Sequence, residues 1–261
     1  MRRRSSLSDV KGVLLDLDGT VHQEGRLISG ACEAIGAIRK KGTPLRFATN
    51  TTRKSRQVIV MQLRGLGLDV QTDDVFTAPV AAASWLRKNY CQSVALHVAD
   101  ETVSEFSDFS IDDASPQAVV VGDLGSAWTF ERLNVAFRQL QSGASFVALQ
   151  KNRYWRTDGG LTLDAGPFIA ALEYASGCEA TVVGKPSAQF FESAAASMGL
   201  SVADIVMVGD DFNSDVHGSI SLGGGGVLVR TGKFRPSDRD GHEHIPDAVI
   251  DSIAELPAIF A

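Results

Sequence analysis

The sequence predicts an α/β protein built on parallel sheets, and three observations lead there. Short, unbroken apolar runs alternate with stretches of helical periodicity, as in βαβ units. The runs are continuous rather than polar on every second residue, the mark of strands covered on both faces. Several of them stop abruptly at Asp, Thr or Lys, which puts polar groups at the edge where open α/β sheets bind ligands.

The elements follow in order. Gly12-Val13-Leu14-Leu15 reads as a first buried strand, closed by Asp16-Leu17-Asp18-Gly19-Thr20. Ser29 is placed to cap a helix with Ala31, Ala34, Ile35 and Ile38 on its apolar face, basic Arg39, Lys40 and Lys41 in its last turn, and Gly42 beyond. Leu45 to Ala48 reads as a second strand ending at Thr49-Asn50, and Ser55 opens a helix with Val58, Met61 and Leu63 among its apolar positions. Val75-Phe76 is a short strand. Further strands are expected at 94–98, 119–121, 146–149, 181–183, 205–208 and 227–229, with the glycine run 223–226 as a turn before the last.

Spacing divides these elements into two domains. Asp16 to Thr49 and Lys185 to Asp210 are each about one βαβ unit of roughly 30 residues, whereas the gap between Thr49 and Lys185 is several times longer. Residues 1–78 and 181–261 are therefore expected to form a discontinuous core, and 79–180 an inserted α/β cap.

Composition narrows the function classes. The chain has 261 residues and a net charge of −6, a balance that argues against a nucleic acid or an anionic membrane as partner, since either needs a basic surface. No apolar stretch approaches the roughly 18 residues of a membrane span. Cys32, Cys91 and Cys178 are odd in number and widely spaced, without a CxxC pair, so a reducing cytoplasm is expected. The basic start, 1–6, reads as a frayed tail.

Four segments carry the chemistry. Gly19 lets the chain turn at once, so Asp16 and Asp18 can enter one crevice. Thr49-Asn50-Thr51-Thr52 offers hydroxyl, amide and backbone N–H groups to a phosphoryl oxygen. Gly184-Lys185-Pro186 sets one lysine before a helix N-terminus, which also favours an anion. Val206 to Asp215 is another apolar strand ending in acids, among them Asp210, Asp211 and Asp215. Two carboxylates about 4 Å apart repel by roughly 4 kcal/mol at an effective dielectric of 20, so such a cluster must take up protons or a divalent cation.

DLDGT, the Thr of FATN, the Lys of VGKP and VGDDFNSD resemble, in order, the four motifs of the haloacid dehalogenase superfamily of phosphatases. RTGKFRPSD further resembles the branch that contains phospholysine phosphohistidine inorganic pyrophosphate phosphatase, in subfamily IIA, and the likeness spans nearly the whole chain after residue 10. It implies a Rossmann-like core with a cap between the second and third motifs. It implies that Asp16 is the nucleophile forming an aspartyl-phosphate and Asp18 the acid, then the base. Thr49 and Asn50 would hold phosphoryl oxygens, and Lys185 would neutralise charge and restrain Asp16. Asp16, the Asp18 backbone carbonyl and Asp210 would hold Mg²⁺, with Asp215 in the outer shell; Asp211 reads better as a turn acid. The expected partner is a small phosphorylated substrate: a metabolite, phosphoamide or pyrophosphate. Related caps often pair subunits, so a homodimer through the cap is expected.

Specificity is expected in the polar stretch Lys151 to Arg156, with Asn152 or Arg153 as its determinant. His242-Glu243-His244 reads as a surface loop, because i, i+2 spacing in a Pro-flanked polar segment suits no metal site. The chain contains neither a GxxxxGK[ST] loop nor a GxSxG elbow. A catalytically idle Mg²⁺ and phosphate sensor is the alternative reading, and a phosphomutase a further one. Possession of both Asp16 and Asp18 favours the enzyme, since a binding pocket needs no proton shuttle.

Overall fold

The computed structural model describes residues 7–157, 159–236 and 245–260. The basic start at 1–6 and the histidines at 242 and 244 lie outside the described residues. The chain divides into two compact units, one of residues 1–49, 56–76 and 185–261, the other of 50–55 and 77–184.

The first unit is built on a six-stranded sheet of β1 (Gly12–Leu15), β4 (Leu45–Thr49), β5 (Val75–Thr77), β13 (Ile205–Gly209), β14 (Gly225–Val229) and β15 (Ala248–Ile250), in the order β15-β14-β13-β1-β4-β5. β1 pairs in parallel with both β13 and β4, Leu15 facing Val208 on one side and Phe47 on the other. All four β1 residues are buried, which is why the run is apolar without alternation. Each fully buried Leu or Phe here, such as Leu15 and Phe47 at 0% exposure, contributes about 1.5–3 kcal/mol. A short hairpin of β2 (His22–Gln23) and β3 (Arg26–Leu27) follows β1.

Helix α1 (Ala31–Lys40) buries Ala31, Ala34, Ile35 and Ile38, the face that the periodicity predicts. Its N-cap is Gly30 rather than Ser29, in a left-handed conformation without a side-chain cap. A Cβ at Gly30 would come within 2.6 Å of the Ala254 Cβ, so close packing of this helix end, not capping, decides the residue. Helix α2 (Arg56–Gly65) buries Ile59, Val60 and Leu63, while Met61 is exposed. Helix α6 (Ala188–Ala196) is capped by the Ser187 hydroxyl, and α7 (Gly218–Ser221) and α8 (Leu256–Ile259) complete the unit.

The glycine run departs from the expected turn. Gly225 and Gly226 belong to β14 and are buried. A Cβ on Gly226 would lie 2.8 Å from Val216 and 2.8 Å from Ile220, so the missing side chain lets those residues pack flat on the strand.

The second unit has its own five-stranded parallel sheet of β6 (Ser93–His97), β7 (Ser110–Ile111), β8 (Ala118–Val121), β9 (Ser145–Ala148) and β12 (Thr181–Val182), in the order β12-β9-β8-β6-β7. Helices α3 (Ala78–Lys88), α4 (Phe130–Gln141) and α5 (Ala165–Ser176) accompany it, and β10 (Tyr154–Thr157) pairs with β11 (Gly160–Leu163) as a hairpin. Against the expected span of 79–180, this unit gains 181–184 because Thr181 and Val182 hydrogen-bond to β9. It also gains 77–78 and 50–55, the latter where Arg53 meets Asp123 at 3.6 Å.

Candidate active site

The sheet register of the first unit brings the key chain ends side by side. β13, β1 and β4 are neighbours, so Asp16, Asp210 and Thr49 emerge along one edge, and the Asp16 N–H donates to the Val208 carbonyl at 2.9 Å. Lys185 reaches this edge from just before α6. Its Nζ lies 2.6 Å from Asp16 Oδ1, 2.7 Å from Asp215 Oδ1 and 2.9 Å from the Ala48 carbonyl.

Asp16, Asp210 and Asp215 form one buried group, each offering a carboxylate oxygen within 4.8 Å of the others. Burial, reinforced by the negative charge of Asp16, pushes the Asp210 carboxyl up to about 6. Burial also pushes Asp215 up, against the pull of Lys185. Burial alone would lower the Lys185 ammonium, but Asp16 and Asp215 outweigh it and hold it above the ordinary lysine range. With an ammonium at 2.7 Å, the Lys185 and Asp215 pair is ionic. Lys185 supplies one positive charge to three acids, leaving a surplus of negative charge.

That surplus fits a hard divalent cation. Asp210 Oδ1 is buried without a hydrogen-bond partner, a costly state for a carboxylate unless something positive faces it. The other oxygen, Oδ2, accepts from the Lys233 N–H at 2.7 Å. Glycines make room for these acids: a Cβ at Gly19 or Gly232 would come within 2.2 or 2.0 Å of Asp210 Oδ2, and one at Gly209 within 2.2 Å of Asp215 Oδ2.

Asp18 stands apart from the buried trio, its side chain 74% exposed and 3.5 Å from His22 Nδ1. Asp211 is a cap, its Oδ1 accepting from the N–H groups of Asn213 and Ser214 at 3.1 and 3.0 Å, in keeping with its reading as a turn acid. Thr49 is buried at the end of β4. Thr231 and Lys233 were not among the expected site residues: the Thr231 hydroxyl donates to the Gly19 carbonyl, and Lys233 Nζ lies 3.6 Å from Asp211 Oδ2. The RTGKF segment follows an apolar strand with polar residues, but nothing in it singles out these two side chains.

Three further expected residues belong to the second unit. Asn50 lies against Gly184, where a Cβ would come within 2.9 Å of its Oδ1. Asn152 and Arg153 are exposed on backbone that is firmly held. The Gln150 side chain accepts from the Asn152 N–H at 2.5 Å and donates to the buried Asp164 carboxylate, and the Gly166 N–H donates to the Asn152 carbonyl at 2.9 Å. The expected polar loop is shorter than 151–156, since Tyr154 onward enters β10.

Residues 13–111 match the family model of haloacid dehalogenase-like hydrolases, and 182–256 match a HAD-hydrolase-like model. The chain is 41% identical over 255 residues to the phospholysine phosphohistidine inorganic pyrophosphate phosphatase of Bos taurus, covering 95% of this chain and 93% of that one. It is likewise 41% identical to the human haloacid dehalogenase-like hydrolase domain-containing protein 2, covering 88% of each. Among solved structures, a 4-nitrophenylphosphatase from Thermotoga maritima superposes with a TM-score of 0.88 at 28% identity, covering 98% of this chain and 99% of that one. The chain thus belongs to the haloacid dehalogenase-like hydrolases, in their subfamily IIA, and is a phosphatase.

Proposed function

We propose that the protein is a magnesium-dependent phosphohydrolase that works through an aspartyl-phosphate on Asp16. Its substrate is a small phosphorylated metabolite, a phosphoamide or pyrophosphate. The observation that carries this reading is the buried meeting of Asp16, Asp210 and Asp215 around Lys185.

Asp16, Asp210 and the Asp18 backbone carbonyl hold Mg²⁺ in this reading, with Asp215 behind them; all are the hard oxygen donors that the ion prefers. When bound, the ion supplies positive charge that lets an anionic nucleophile approach an anionic phosphoryl group. Lys185 pins Asp16 Oδ1 at 2.6 Å, which leaves the other oxygen to attack phosphorus. Thr49 and Asn50 hold the phosphoryl oxygens. Asp18 gives its proton to the leaving oxygen, then takes one from the water that opens the aspartyl-phosphate. Lys185 has no proton to spare in this scheme, since its neighbours keep it ammonium; it serves as fixed charge.

The second unit serves as the cap, with Asn152 and Arg153 reading the leaving group. Relatives named for phospholysine, phosphohistidine and pyrophosphate support P–N and P–O–P bonds as targets. Two copies pair through the β10 and β11 hairpin, where Tyr154, Trp155, Leu161 and Leu163 are 41–64% exposed, an apolar surface of the kind that interfaces cover. Among the described residues no helix is long and apolar enough to cross a membrane, and the three cysteines are free, which supports a reducing cytoplasm.

The test is phosphate release from 4-nitrophenyl phosphate with and without Mg²⁺, beside Asp16→Asn. Release that needs both the metal and Asp16 is expected. Equal release in all three samples overturns the proposal.

A further inference from the structure

Asp18 is the one acid of the site left without a fixed environment, and a histidine stands beside it. Its carboxylate is 74% exposed, and among the described residues no group other than His22 pairs with it. His22 is the reverse case: its side chain is 20% exposed, and its Nδ1 is buried without a hydrogen-bond partner, 3.5 Å from Asp18 Oδ1. A buried ring nitrogen without a partner is costly, and the Asp18 carboxylate stands at the outer limit of hydrogen-bond distance from it.

The backbone makes this pairing durable. The Leu17 carbonyl accepts from the N–H groups of Thr20, Val21 and His22 at 3.3, 2.9 and 3.0 Å, and the Gly19 N–H donates to the His22 carbonyl at 2.7 Å. Gly19 adopts φ +86°, a conformation that closes the turn at little steric cost. Asp18 and His22 are thereby bridged through the main chain, and His22 itself lies in β2, its backbone paired with β3 opposite Leu27. A slight rotation of the exposed carboxylate brings the two atoms into hydrogen-bond range, a tightening common when a substrate arrives.

We propose that His22 is a positioning residue for Asp18: its Nδ1–H binds one carboxyl oxygen and thereby aims the other at the leaving oxygen of the substrate. This rests on the reading of Asp18 as acid and base. In the step served, a bond forms from Asp16 oxygen to phosphorus while the bond from phosphorus to the leaving oxygen breaks. The leaving oxygen takes the bonding electron pair and the proton of Asp18, which becomes a carboxylate. His22 keeps its own proton throughout. Its contribution is orientation, worth a share of the roughly 10²- to 10⁴-fold that a placed acid supplies.

The experiment compares kcat/KM for phenyl phosphate and 4-nitrophenyl phosphate, near in shape but different in leaving-group basicity. Only the more basic phenolate depends on being protonated as it departs. In His22→Phe, which keeps the ring volume and loses the donor, the phenyl to 4-nitrophenyl ratio is expected to fall about tenfold. His22→Asn, whose amide nitrogen can stand where Nδ1 stood, is expected to hold the ratio within about threefold of the unmodified protein. A ratio unchanged in His22→Phe, or depressed equally in both variants, overturns the proposal, because a packing role moves both substrates together. His22→Gln, which displaces the donor, carries the same expectation as His22→Phe if the latter does not fold. Asp18→Asn separates the two levels: if it depresses the ratio and His22→Phe does not, only the role of His22 falls; if it does not, the acid and base reading of Asp18 falls with it.

Discussion

Asp210 shows how much of the site's behaviour is written into single residues. Its carboxyl, ordinarily near 3.8, is pushed up to about 6 by burial and by Asp16. In the metal-free protein the folded state therefore keeps a proton that the unfolded chain releases. The stabilising contribution is full below about 3.8 and is lost as pH rises through about 6. A divalent cation needs the ionised form, so protons compete with it below that value. Thermal melts of the protein with and without MgCl₂ from pH 5 to 8 should show the metal's upward shift of Tm shrinking below pH 6; a shift of equal size at pH 5 and pH 7.5 contradicts the account. At this scale the motif residues were legible, since an acid or lysine ending an apolar strand is conspicuous. The gathering of Asp16 and Asp210 followed from strand order, whereas Lys185 comes to them from just before α6. Thr231 was not legible as a site residue, because its role arises from a loop lying on Gly19, more than 200 positions away; Lys233 was not, because only the fold of its loop back onto Asp210 and Asp211 gives it one.

At the scale of elements, strands built from apolar runs were readable and glycine-bearing ones were not. Residues 205–208 and 227–229 announce themselves by Val, Ile and Leu. Gly225 and Gly226 do not, since glycine disfavours strands by propensity and only the overlying Val216 and Ile220 explain its presence. Gly226→Ala should therefore destabilise the protein by about 1–3 kcal/mol through overpacking, read as a lower urea midpoint at unchanged slope. Met61 illustrates the opposite error. Its hydrophobicity placed it on the inner face of α2, but the helix turns it outward and buries Ile59 and Val60 instead. The segment carrying Asn152 and Arg153 is an element in its own right, braced by Gln150, Asp164 and Gly166. Replacing both exposed side chains by Ala should leave stability within about 0.5 kcal/mol while altering kcat/KM ratios across a panel of phosphate esters, phosphoamides and pyrophosphate. Unchanged ratios would remove these two residues from specificity.

The α/β class of the whole molecule was legible in its alternating periodicity, and the long interval between the second and third motifs pointed to more than one unit. The strand at 181–183 was expected, but the sheet to which Thr181 and Val182 belong was not legible, because its partner, β9, lies some thirty residues earlier and nothing in so short a strand names its neighbour. The proposed pairing through the β10 and β11 hairpin is tested at the level of the assembly. Substituting Leu161 and Leu163 together by Glu is expected to shift a dimer to a monomer in light scattering after size-exclusion chromatography, with the melting temperature little changed. An unmodified protein that already elutes as a monomer at micromolar concentration rules out that interface. The glycines around Asp210 and Asp215 have a different kind of consequence. Gly19, Gly209 and Gly232 come from three remote stretches of chain, yet none has space for a single methyl group beside those acids. A deep mutational scan selected for turnover should find these three positions as intolerant as the aspartates themselves, so that evolution must treat emptiness here as it treats charge.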